Sequence, residues 1–432
     1  MEMIFHGATK EVGRSCIEVV TGSGTRFLFD AGIKLSEHGT EMPSRVQDVG
    51  GLKAIFLSHA HLDHTGYLPA LDFQGLKCPI FTSEPTSETS KMLLIDSFGI
   101  GRMKHEDLGY KKEDIGKIMS WMRKVKLEKE GSVQDVDFEY FSAGHIPGSA
   151  SILVETKDLE KKRIVYTGDI KTTETRLLDK AELSTEKLGD IDVMITEATY
   201  GDRDHPDREK EEDRLIESIK AAVENRGSVL IPVFAEGRAQ EIAMILNKNK
   251  IDFGVPVYMD GMSIEATKII QQHPESVKDI KKLNSAISRM NMVKGRMQRE
   301  KIMKDRGIFI TTSGMLTGGP IMTYLRNSYN DSSTSILLTG FQGEHTNGRL
   351  LLDEKSVFID GWKTKVSCNV EKFDFSAHCG QKELKELMKK ISPEEVIVQH
   401  GDPEAVDALA EIAESMGFKA HAPEMDERIT IK

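Results

Sequence analysis

Cysteine, tryptophan and long apolar runs are all scarce in this chain of 432 residues. Its four cysteines are scattered and form no C-x-x-C pair, which favours a reduced compartment and structural thiols over a disulfide framework. No apolar run approaches the roughly 20 residues that span a bilayer, so we expect no membrane association. Residues 1–7 contain no basic stretch followed by an apolar one, so we expect a cytoplasmic protein without a signal peptide.

Basic residues are also in deficit. The chain has 58 Lys and Arg against 69 Asp and Glu, a formal net charge of −11. This balance argues against a generic nucleic-acid binder, because such proteins usually have a basic bias. A site that holds two divalent cations would, however, add about four positive charges of its own. The charge around a cleft is therefore more informative than the charge of the whole chain.

The order of apolar segments predicts two domains, as the length also suggests. The first 200 or so residues read mostly as short strands and turns, with a charged helical stretch over 86–127. From about Asp202 amphipathic helices alternate with buried strands, which is typical of a parallel α/β unit. Residues 275–304 are charged and rich in methionine, and we expect a solvated helical excursion there.

Three histidines and one aspartate fall within six residues, in the spacing H-x-H-x-D-H at 59–64. The whole chain has only 13 histidines, so this clustering is not expected by chance. The preceding apolar run at 53–57 predicts a strand, which places the motif where a rigid sheet can hold a loop. Imidazole nitrogens and carboxylate oxygens are the usual ligands of zinc and similar divalent metals. The motif therefore indicates part of a metal site.

Further residues of the ligand type follow other predicted strands. His145 lies in a loop of Gly and Pro, Asp169 follows the strand at 164–166, and His400 follows the strand at 396–398. Each signal alone is weak, because a lone loop histidine is usually a surface residue and an Asp after Gly is usually a turn residue. Taken together at strand exits, they predict a metal site assembled from distant parts of the chain.

In this order the motifs resemble those of the metallo-β-lactamase-fold nucleases of the β-CASP group. The resemblance covers nearly the whole chain and implies an α/β fold, a metallo-β-lactamase αββα sandwich with an inserted β-CASP α/β domain. It implies a first metallo-β-lactamase part at 1–203, the β-CASP domain at 204–364 and a C-terminal metallo-β-lactamase part at 365–432. The motif residues are Asp30, His59 to His64, His145, Asp169, Glu197, His378 and His400.

Local sequence narrows the resemblance. Residues 11–16 resemble the amino-terminal stretch of the nuclease subunit of the cleavage and polyadenylation specificity factor, and 312–320 and 340–352 resemble its archaeal homologues. Archaeal relatives often carry amino-terminal KH-type RNA-binding domains, whereas this chain begins directly with the nuclease motifs. We therefore expect a KH-less member without independent sequence recognition of RNA.

The resemblance also implies the cofactors, two Zn²⁺ ions, with Mn²⁺ as an open alternative. Two divalent metals about 3.5–4 Å apart can activate a water molecule and clamp a phosphodiester for in-line attack. The implied ligands are His59, His61 and His145 for one ion, Asp63, His64 and His400 for the other, and Asp169 between them.

Three residues have implied catalytic roles, and one has a supporting role. His378 is not needed as a ligand and is the candidate general acid for the leaving oxygen. Glu197 would stabilise the charged form of His378. The alternative interpretation is that Glu197 is an ordinary carboxylate at the end of a strand. Asp63 acts with the metal, and Asp30 would orient ligands from behind.

Two glycine-rich segments are candidates for phosphate or RNA contacts. Ser313 and Gly314 lie in one, and His345 and Arg349 lie in the other. Backbone N–H groups and a guanidinium at such loops can bind phosphates, but glycine-rich loops are also common turns. Arg238, beside a glycine, is a further candidate, and a solvated helix start is the alternative interpretation.

The leading hypothesis is a zinc-dependent ribonuclease that cuts single-stranded RNA internally, in RNA processing, 3′-end maturation or decay. The first alternative is a ribonuclease J-like 5′-to-3′ exonuclease, which needs a pocket for a terminal 5′-monophosphate. A DNA-repair nuclease is disfavoured because that branch usually has valine at the position of His400. We expect single-stranded RNA as the partner, with a homodimer or a larger RNA-processing complex left open.

Two hypotheses of other classes were weighed. A non-catalytic scaffold subunit is disfavoured because such relatives lose metal ligands, and all seven ligand positions are filled here. A small-molecule hydrolase would explain the H-x-H-x-D-H motif but would leave the inserted α/β segment without a role.

Overall fold

The computed structural model describes residues 1–36 and 39–432, and these form two compact units. The first unit comprises Met1–Glu174, Asp179–Asp204 and Ala377–Lys432, and the second comprises Thr175–Leu178 and His205–Ser376. The second unit therefore continues to Ser376, whereas the sequence interpretation ends the inserted domain at 364. Among the described residues, none of the helices combines the length and apolar character needed to cross a bilayer.

Short strands dominate the first unit. Strands β1 to β13 are Glu2–Phe5, Ile17–Val20, Arg26–Phe29, Lys34–Ser36, Gly39–Glu41, Ala54–Phe56, Ile80–Ser83, Met122–Val125, Gly131–Val133, Val136–Ser142, Ala150–Thr156, Arg163–Tyr166 and Val193–Glu197. Helices α1 to α5 are Leu62–Thr65, Leu68–Phe73, Glu84–Met103, Lys112–Trp121 and Thr185–Leu188.

The second unit alternates helices with strands. Helices α6 to α12 are Arg208–Glu224, Arg238–Leu246, Ser263–Gln272, Ile280–Ser288, Arg296–Ile302, Pro320–Ser328 and Asn347–Glu354. Strands β14 to β21 are Val229–Pro232, Val257–Asp260, Asn291–Met292, Ile308–Thr311, Ser335–Leu338, Ser356–Ile359, Trp362–Lys365 and Asn369–Lys372. The chain then returns to the first unit through α13, β22, α14, β23 and β24, which are Gln381–Ile391, Glu395–Gln399, Pro403–Ser415, Lys419–His421 and Arg428–Thr430.

Two sheets of the first unit pack against each other through an apolar layer. Their strand orders are β24-β1-β2-β3-β6-β7-β8 and β23-β22-β13-β12-β11-β10-β9. The layer between them is aromatic, with Phe5, Phe29 and Phe56 from one sheet and Tyr140 and Tyr166 from the other. A further apolar cluster joins α2 and α4 to the outside of the first sheet, and another joins α13 and α14 to the outside of the second. This is the αββα sandwich that the resemblance implied.

The pairing pattern brings several strand ends to one edge of the sandwich. β3 is parallel to β6, and β12, β13 and β22 are parallel to one another. β10 and β11 are antiparallel, as are β11 and β12, so β10 ends at the same edge as β12. Because parallel strands end together, the loops after β3, β6, β10, β12, β13 and β22 meet at this edge.

The second unit is built on a parallel sheet with the order β16-β15-β17-β14-β18-β21. One apolar cluster covers the face that carries α6, α7 and α9, and another covers the face that carries α11, α12 and the β19–β20 hairpin. In a sheet with right-handed crossovers, connections that run in opposite directions along the sheet lie on opposite faces. This doubly covered parallel sheet confirms the predicted α/β character of the insertion.

Two local predictions were wrong. Residues 86–127 are not helical throughout, because 122–125 form β8 at the edge of a sheet, paired with β7. The segment 275–304 is not only a solvated excursion, because Leu283, Ala286 and Ile287 of α9 are buried in the core of the second unit.

Candidate metal centre and active site

The registers of the parallel strands bring the candidate ligands together. Phe29 pairs with Phe56, so Asp30 and the H-x-H-x-D-H motif leave neighbouring strands at the same level. Tyr166 pairs with Ile195, and Glu197 pairs with Gln399, which brings Asp169, Glu197 and His400 to the same edge of the second sheet. Gly168, with φ +55°, approaches Ser58 so closely that a Cβ would lie 2.6 Å from the Ser58 Cβ. A glycine here lets the loop bring Asp169 against the histidine motif.

Four donor atoms form the first group. His61 Nδ1 lies 3.1 Å from His59 Nε2 and 3.2 Å from His145 Nε2. Asp169 Oδ2 lies 3.4 Å from His59 Nε2 and 3.6 Å from His145 Nε2. Ligands at 2.0–2.1 Å from a tetrahedral zinc ion are about 3.3 Å apart, so these separations match one such ion.

The protonation of the rings supports this interpretation. Ser58 Oγ donates its proton to Asp30 Oδ2 at 2.7 Å, so in its 3.0 Å contact with His59 it accepts from Nδ1–H. His145 Nδ1–H donates to the Ala377 carbonyl at 2.9 Å. The Nε2 atoms of His59 and His145 therefore carry lone pairs and point toward the same place. Converging lone pairs repel one another unless a cation lies between them.

A second group lies around the other oxygen of Asp169. Asp169 Oδ1 is 3.5 Å from His64 Nε2 and 3.3 Å from His400 Nδ1. Asp63 Oδ2 is 3.4 Å from His400 Nε2 and 3.9 Å from His64 Nε2. Either ring nitrogen of His400 is therefore within reach of a carboxylate of this group. Asp169 faces the first group with Oδ2 and the second with Oδ1, the arrangement of a bridging carboxylate.

Buried polar atoms in the second group fit a cation. His64 Nε2 and Asp169 Oδ1 are fully buried, and neither has a hydrogen-bond partner in the described part of the chain. Buried polar atoms are rarely left without partners, so each such atom requires an explanation. The donor set of imidazoles and carboxylates is the one that zinc uses. The residues therefore fit a metal at this position.

Burial and neighbouring charges shift the pKa values of the clustered residues in definite directions. Burial alone would raise the pKa of Asp169, but the surrounding imidazoles, led by His400, hold it well below its ordinary value. Burial would lower the pKa of His64, and the carboxylates of Asp169, Asp30 and Asp63 raise it well above its ordinary value. Burial and the neighbouring His64 lower the pKa of His59 well below its ordinary value. The carboxylates are thus ionised and His59 is neutral, the forms that bind metals, whereas His64 keeps a proton that a bound metal would have to displace.

Asp30 lies behind the candidate ligands and forms a hydrogen bond with one of them, His64. Its carboxylate accepts hydrogen bonds from the Ser58 backbone N–H at 2.8 Å and from the Tyr166 hydroxyl at 2.7 Å. His64 Nδ1–H donates to the same carboxylate at 2.7 Å, which leaves the Nε2 lone pair directed at the second group. Ser58 and Tyr166 were missed by the sequence analysis, although both lie next to motifs that it identified.

His378 and Glu197 form a pair beside the metal ligands. His378 Nδ1 lies 2.8 Å from Glu197 Oε2 and 4.0 Å from Asp169 Oδ2. Glu197 is buried, and its other oxygen accepts from the Ile170 N–H at 2.8 Å. A carboxylate held in this way fixes the orientation of the His378 ring.

A second ion pair holds the backbone of the His378 loop. Lys171 Nζ donates to the His378 carbonyl at 3.0 Å and to Glu383 Oε2 at 2.7 Å. The Cys379 N–H donates to the Ile170 carbonyl at 2.8 Å, which joins the same two loops. Lys171 and Glu383 were also missed by the sequence analysis. The position of Lys171 two residues after Asp169 was the available signal.

The predicted phosphate contacts lie at the carboxyl edge of the second unit's sheet or at helix starts. The loop with Ser313 and Gly314 contacts the loop with His345, because Gln342 Nε2 donates to the Gly314 carbonyl at 3.0 Å. Arg349 is exposed and pairs with Asp353, with 2.7 Å between Nε and Oδ2. Arg238 begins α7. In the same unit burial would raise the pKa of Asp374, but His205, the Ser376 N–H and then Arg238 lower it to about 2. Their contacts with RNA stay predictions.

Comparisons with known proteins identify domains along most of the chain. A model described as a Beta-lactamase superfamily domain matches residues 25–233, and the Beta-Casp domain matches 239–351. A Zn-dependent metallo-hydrolase RNA specificity domain matches 363–423. The order of these matches is the order of motifs in the sequence.

Archaeal proteins resemble the chain over nearly its full length. Probable RNase MJ4 of Methanocaldococcus jannaschii is 39% identical and covers 100% of both chains. RNase aCSPSF2 of Saccharolobus solfataricus is 32% identical over 98% of this chain and 84% of its own. An RNase J-like protein of Methanocaldococcus jannaschii is 37% identical over 92% of each chain. The chain therefore belongs to the β-CASP family of metallo-β-lactamase-fold hydrolases, which confirms the predicted family and fold class.

Proposed function

We propose that this protein is a ribonuclease that holds two zinc ions in the cluster around Asp169 and cuts single-stranded RNA internally. Its class, a metal-dependent ribonuclease, agrees with the RNA specificity domain and with relatives named as RNases. One observation carries the finer proposal: Asp169 faces two separate groups of donor atoms with its two oxygens, beside the His378–Glu197 pair. The filled ligand positions support an enzyme rather than a scaffold subunit.

The ligands divide between two ions in this proposal. His59, His61 and His145 would hold one ion, Asp63, His64 and His400 would hold the other, and Asp169 would contact both. When bound, a pair of divalent cations activates water near neutral pH and offsets the negative charge of a phosphodiester. The separations between the donor atoms support zinc, and manganese stays an alternative.

His378 supplies the proton that the leaving oxygen needs. Its Nδ1–H donates to Glu197, so Nε2 is the atom that would deliver a proton to the leaving 3′-oxygen. Glu197, anchored by the Ile170 N–H, stabilises the charged ring before transfer. Attack of water on phosphorus breaks the bond to the 3′-oxygen and yields a 5′-phosphate and a 3′-hydroxyl. The 2′-hydroxyl has no role in this scheme.

The nature of the products tests the chemistry. A single 2′-deoxy substitution at a mapped cleavage site removes the only internal nucleophile of RNA. We expect that RNA to be cut still, with 5′-phosphate and 3′-hydroxyl ends identified by ligation and mass spectrometry. Products with a 2′,3′-cyclic phosphate, or no cleavage of the substituted RNA, would contradict attack by water.

Circular RNA tests whether the protein cleaves RNA internally. The same sequence is offered as a circle, as a linear 5′-triphosphate and as a linear 5′-monophosphate. An endonuclease opens the circle and is indifferent to the 5′ end. The relative named RNase J-like protein is the observation that favours the second candidate, a 5′-to-3′ exonuclease. An intact circle combined with stepwise loss from the 5′-monophosphate would replace the first proposal with the second.

We further propose a cytoplasmic location, which the four buried free thiols support. A homodimer or a larger RNA-processing complex stays a prediction. Size-exclusion chromatography with light scattering gives the mass of the purified protein directly.

A further inference from the structure

We propose that one face of the second unit is a platform that binds single-stranded RNA through stacking and charge. This inference rests on the proposed function but concerns residues outside the metal cluster. The surface, called the basic face below, consists of α10, α11, α12 and the β19–β20 hairpin with the residues that flank them, 294–306, 320–328 and 347–365.

These elements share one side of the parallel sheet. Ile302 at the end of α10, Tyr324 and Leu325 of α11, Leu351 of α12 and Val357 of β19 belong to one apolar cluster. Tyr324 donates its hydroxyl proton to Asp260 at 2.8 Å, and Arg299 of α10 pairs with the same carboxylate. Arg326 of α11 pairs with Asp360 in the turn of the hairpin, with 2.8 Å between Nε and Oδ2. The basic face is therefore a continuous surface.

Its charge is opposite to that of the chain. The three segments contain eleven Lys or Arg and five Asp or Glu, a net charge of +6, whereas the whole chain carries −11. Helices α6 to α9 of the same unit contain eight residues of each sign. Internal ion pairs involve Arg296, Arg326, Arg349 and Lys363. Exposed side chains add positive charge beyond these pairs, and they are Lys294, Lys301, Lys304, Arg306, Lys355 and Lys365.

Large apolar side chains are exposed among these charges. Trp362 is 78% exposed, Phe358 is 50% exposed and Met297 is 86% exposed. The other tryptophan of the chain, Trp121, is half-buried and its indole N–H points at Asp72. An exposed aromatic ring within a basic surface is the combination that proteins use to stack the bases of single strands while lysines contact the phosphates.

The hairpin is held in place before any ligand binds. The Phe358 N–H donates to the side-chain oxygen of Asn347 at 2.7 Å, and the Asn347 amide donates to the Phe358 carbonyl at 2.9 Å. Phe358 pairs across the hairpin with Lys363, so this ring and an ammonium group lie on one side of it, whereas Trp362 pairs with Ile359 and lies on the other side. A fixed backbone reduces the entropy lost on binding. The mixture of rings and lysines favours single-stranded RNA over a protein partner.

Binding is measured on the metal-loaded His378→Ala protein, so that the RNA is not consumed. The probe is a fluorescein-labelled single-stranded 20-mer RNA, followed by anisotropy at several salt concentrations. Stacking of one base predicts that Trp362→Ala weakens binding by about 5- to 150-fold. Charge reversal by Lys301→Glu with Lys304→Glu predicts weaker binding, and the slope of log affinity against log salt falls by about 0.7 for each lost contact.

Matched controls lie elsewhere on the chain. Leu159→Ala removes another exposed apolar side chain, and Lys220→Glu with Lys281→Glu reverses the same number of charges on α6 and α9. Both controls should leave the affinity unchanged, and thermal unfolding should be equal in all variants because every substituted side chain is exposed.

The outcomes separate this inference from the proposed function. If the Trp362 variant and the lysine variant both bind RNA with unchanged affinity, the platform hypothesis is wrong. This conclusion does not depend on whether the wild-type protein cleaves RNA. If wild-type protein cleaves no RNA, the proposed function fails, while the anisotropy still decides whether the basic face binds RNA. In protein that keeps His378, Trp362→Ala should cleave a pentanucleotide at the wild-type rate and a long RNA more slowly. This pattern supports the platform in the active enzyme.

Discussion

At the scale of single residues, Asp30 shows how one buried carboxylate orients a proposed ligand, His64. It has φ +55°, a left-handed conformation that costs roughly 1 kcal/mol for a residue with a Cβ. Hydrogen bonds from Ser58, Tyr166 and His64 stabilise the carboxylate in this position. The result is that His64 presents Nε2, and not Nδ1, to Asp169.

The proposed general acid can be separated from the ligands by two variants. His378→Ala should lower kcat for RNA cleavage by about 10²- to 10⁴-fold, because the leaving oxygen loses its proton donor. Its metal content, measured by inductively coupled plasma mass spectrometry, should match that of the wild type. Asp63→Ala is the matched comparison, since it should lose about one zinc per chain as well as activity. Loss of both metals in His378→Ala would contradict the acid role.

The cysteines should be inert in the folded protein. All four are buried, and burial raises the pKa of Cys78 to about 12 and that of Cys368 to about 11. Because the thiolate is the reactive form, iodoacetamide at pH 8 should modify the native protein slowly and the unfolded protein at four sites. Rapid labelling of one native cysteine would show that its surroundings open more readily than the packing indicates.

At the scale of elements, the loop before α13 is positioned by the Lys171–Glu383 pair. Lys171 is buried, and Glu383 also accepts from the Gly380 N–H at 3.0 Å. The pair therefore ties the loop after β12 to the loop that carries His378. Neither side chain is a proposed metal ligand, so the pair has a positioning role.

Breaking this pair should affect catalysis through geometry. Lys171→Met removes the ionic partner of Glu383, to which Gly380 and Thr173 still donate, and should destabilise the protein by about 1–3 kcal/mol. Adding Glu383→Gln should recover part of that stability, as measured by urea unfolding. The single variant should lower kcat with little change in KM, and its zinc content should stay that of the wild type. An unchanged kcat would argue that the loop keeps its position without the pair.

Elements could be predicted from sequence where the spacing of apolar residues and the length of the segment indicated the same type of secondary structure. The predicted strands at 164–166 and 396–398 lie within β12 and β22 of the structure. β8 was missed because Arg123 and Lys124 are exposed on an edge strand, which often carries charge. The burial of α9 was missed because its apolar residues are separated by lysines and serines.

The candidate site was predictable only in part. Spacing indicates a metal near 59–64, and the positions of His145, Asp169 and His400 after strands predict distant ligands. The family resemblance assigned each of them to an ion. The tautomers and the supporting contacts depend on strand register and on loops that meet in space. The contact of His145 with the Ala377 carbonyl joins residues 232 positions apart, which no local pattern reveals.

At the scale of the whole molecule, metal binding should stabilise one unit more than the other. The seven proposed ligands all belong to the first unit. A ligand at 100 times its Kd stabilises a folded state by about 2.7 kcal/mol. Hydrogen exchange should therefore show faster exchange after chelation at the strand ends of the first unit, with the second unit unchanged. Equal loss of protection in both units would mean that the two unfold as one.

The most direct test of the account is RNA cleavage during a zinc titration. Chelator-treated protein is freed of chelator, and zinc is added back in steps while cleavage of end-labelled single-stranded RNA is measured at each ratio of zinc to protein. If two zinc ions bind in the cluster around Asp169, cleavage is absent at zero zinc and reaches a plateau at two zinc ions per chain. Full cleavage by the metal-free protein, or none at any zinc ratio with the fold intact, would contradict it.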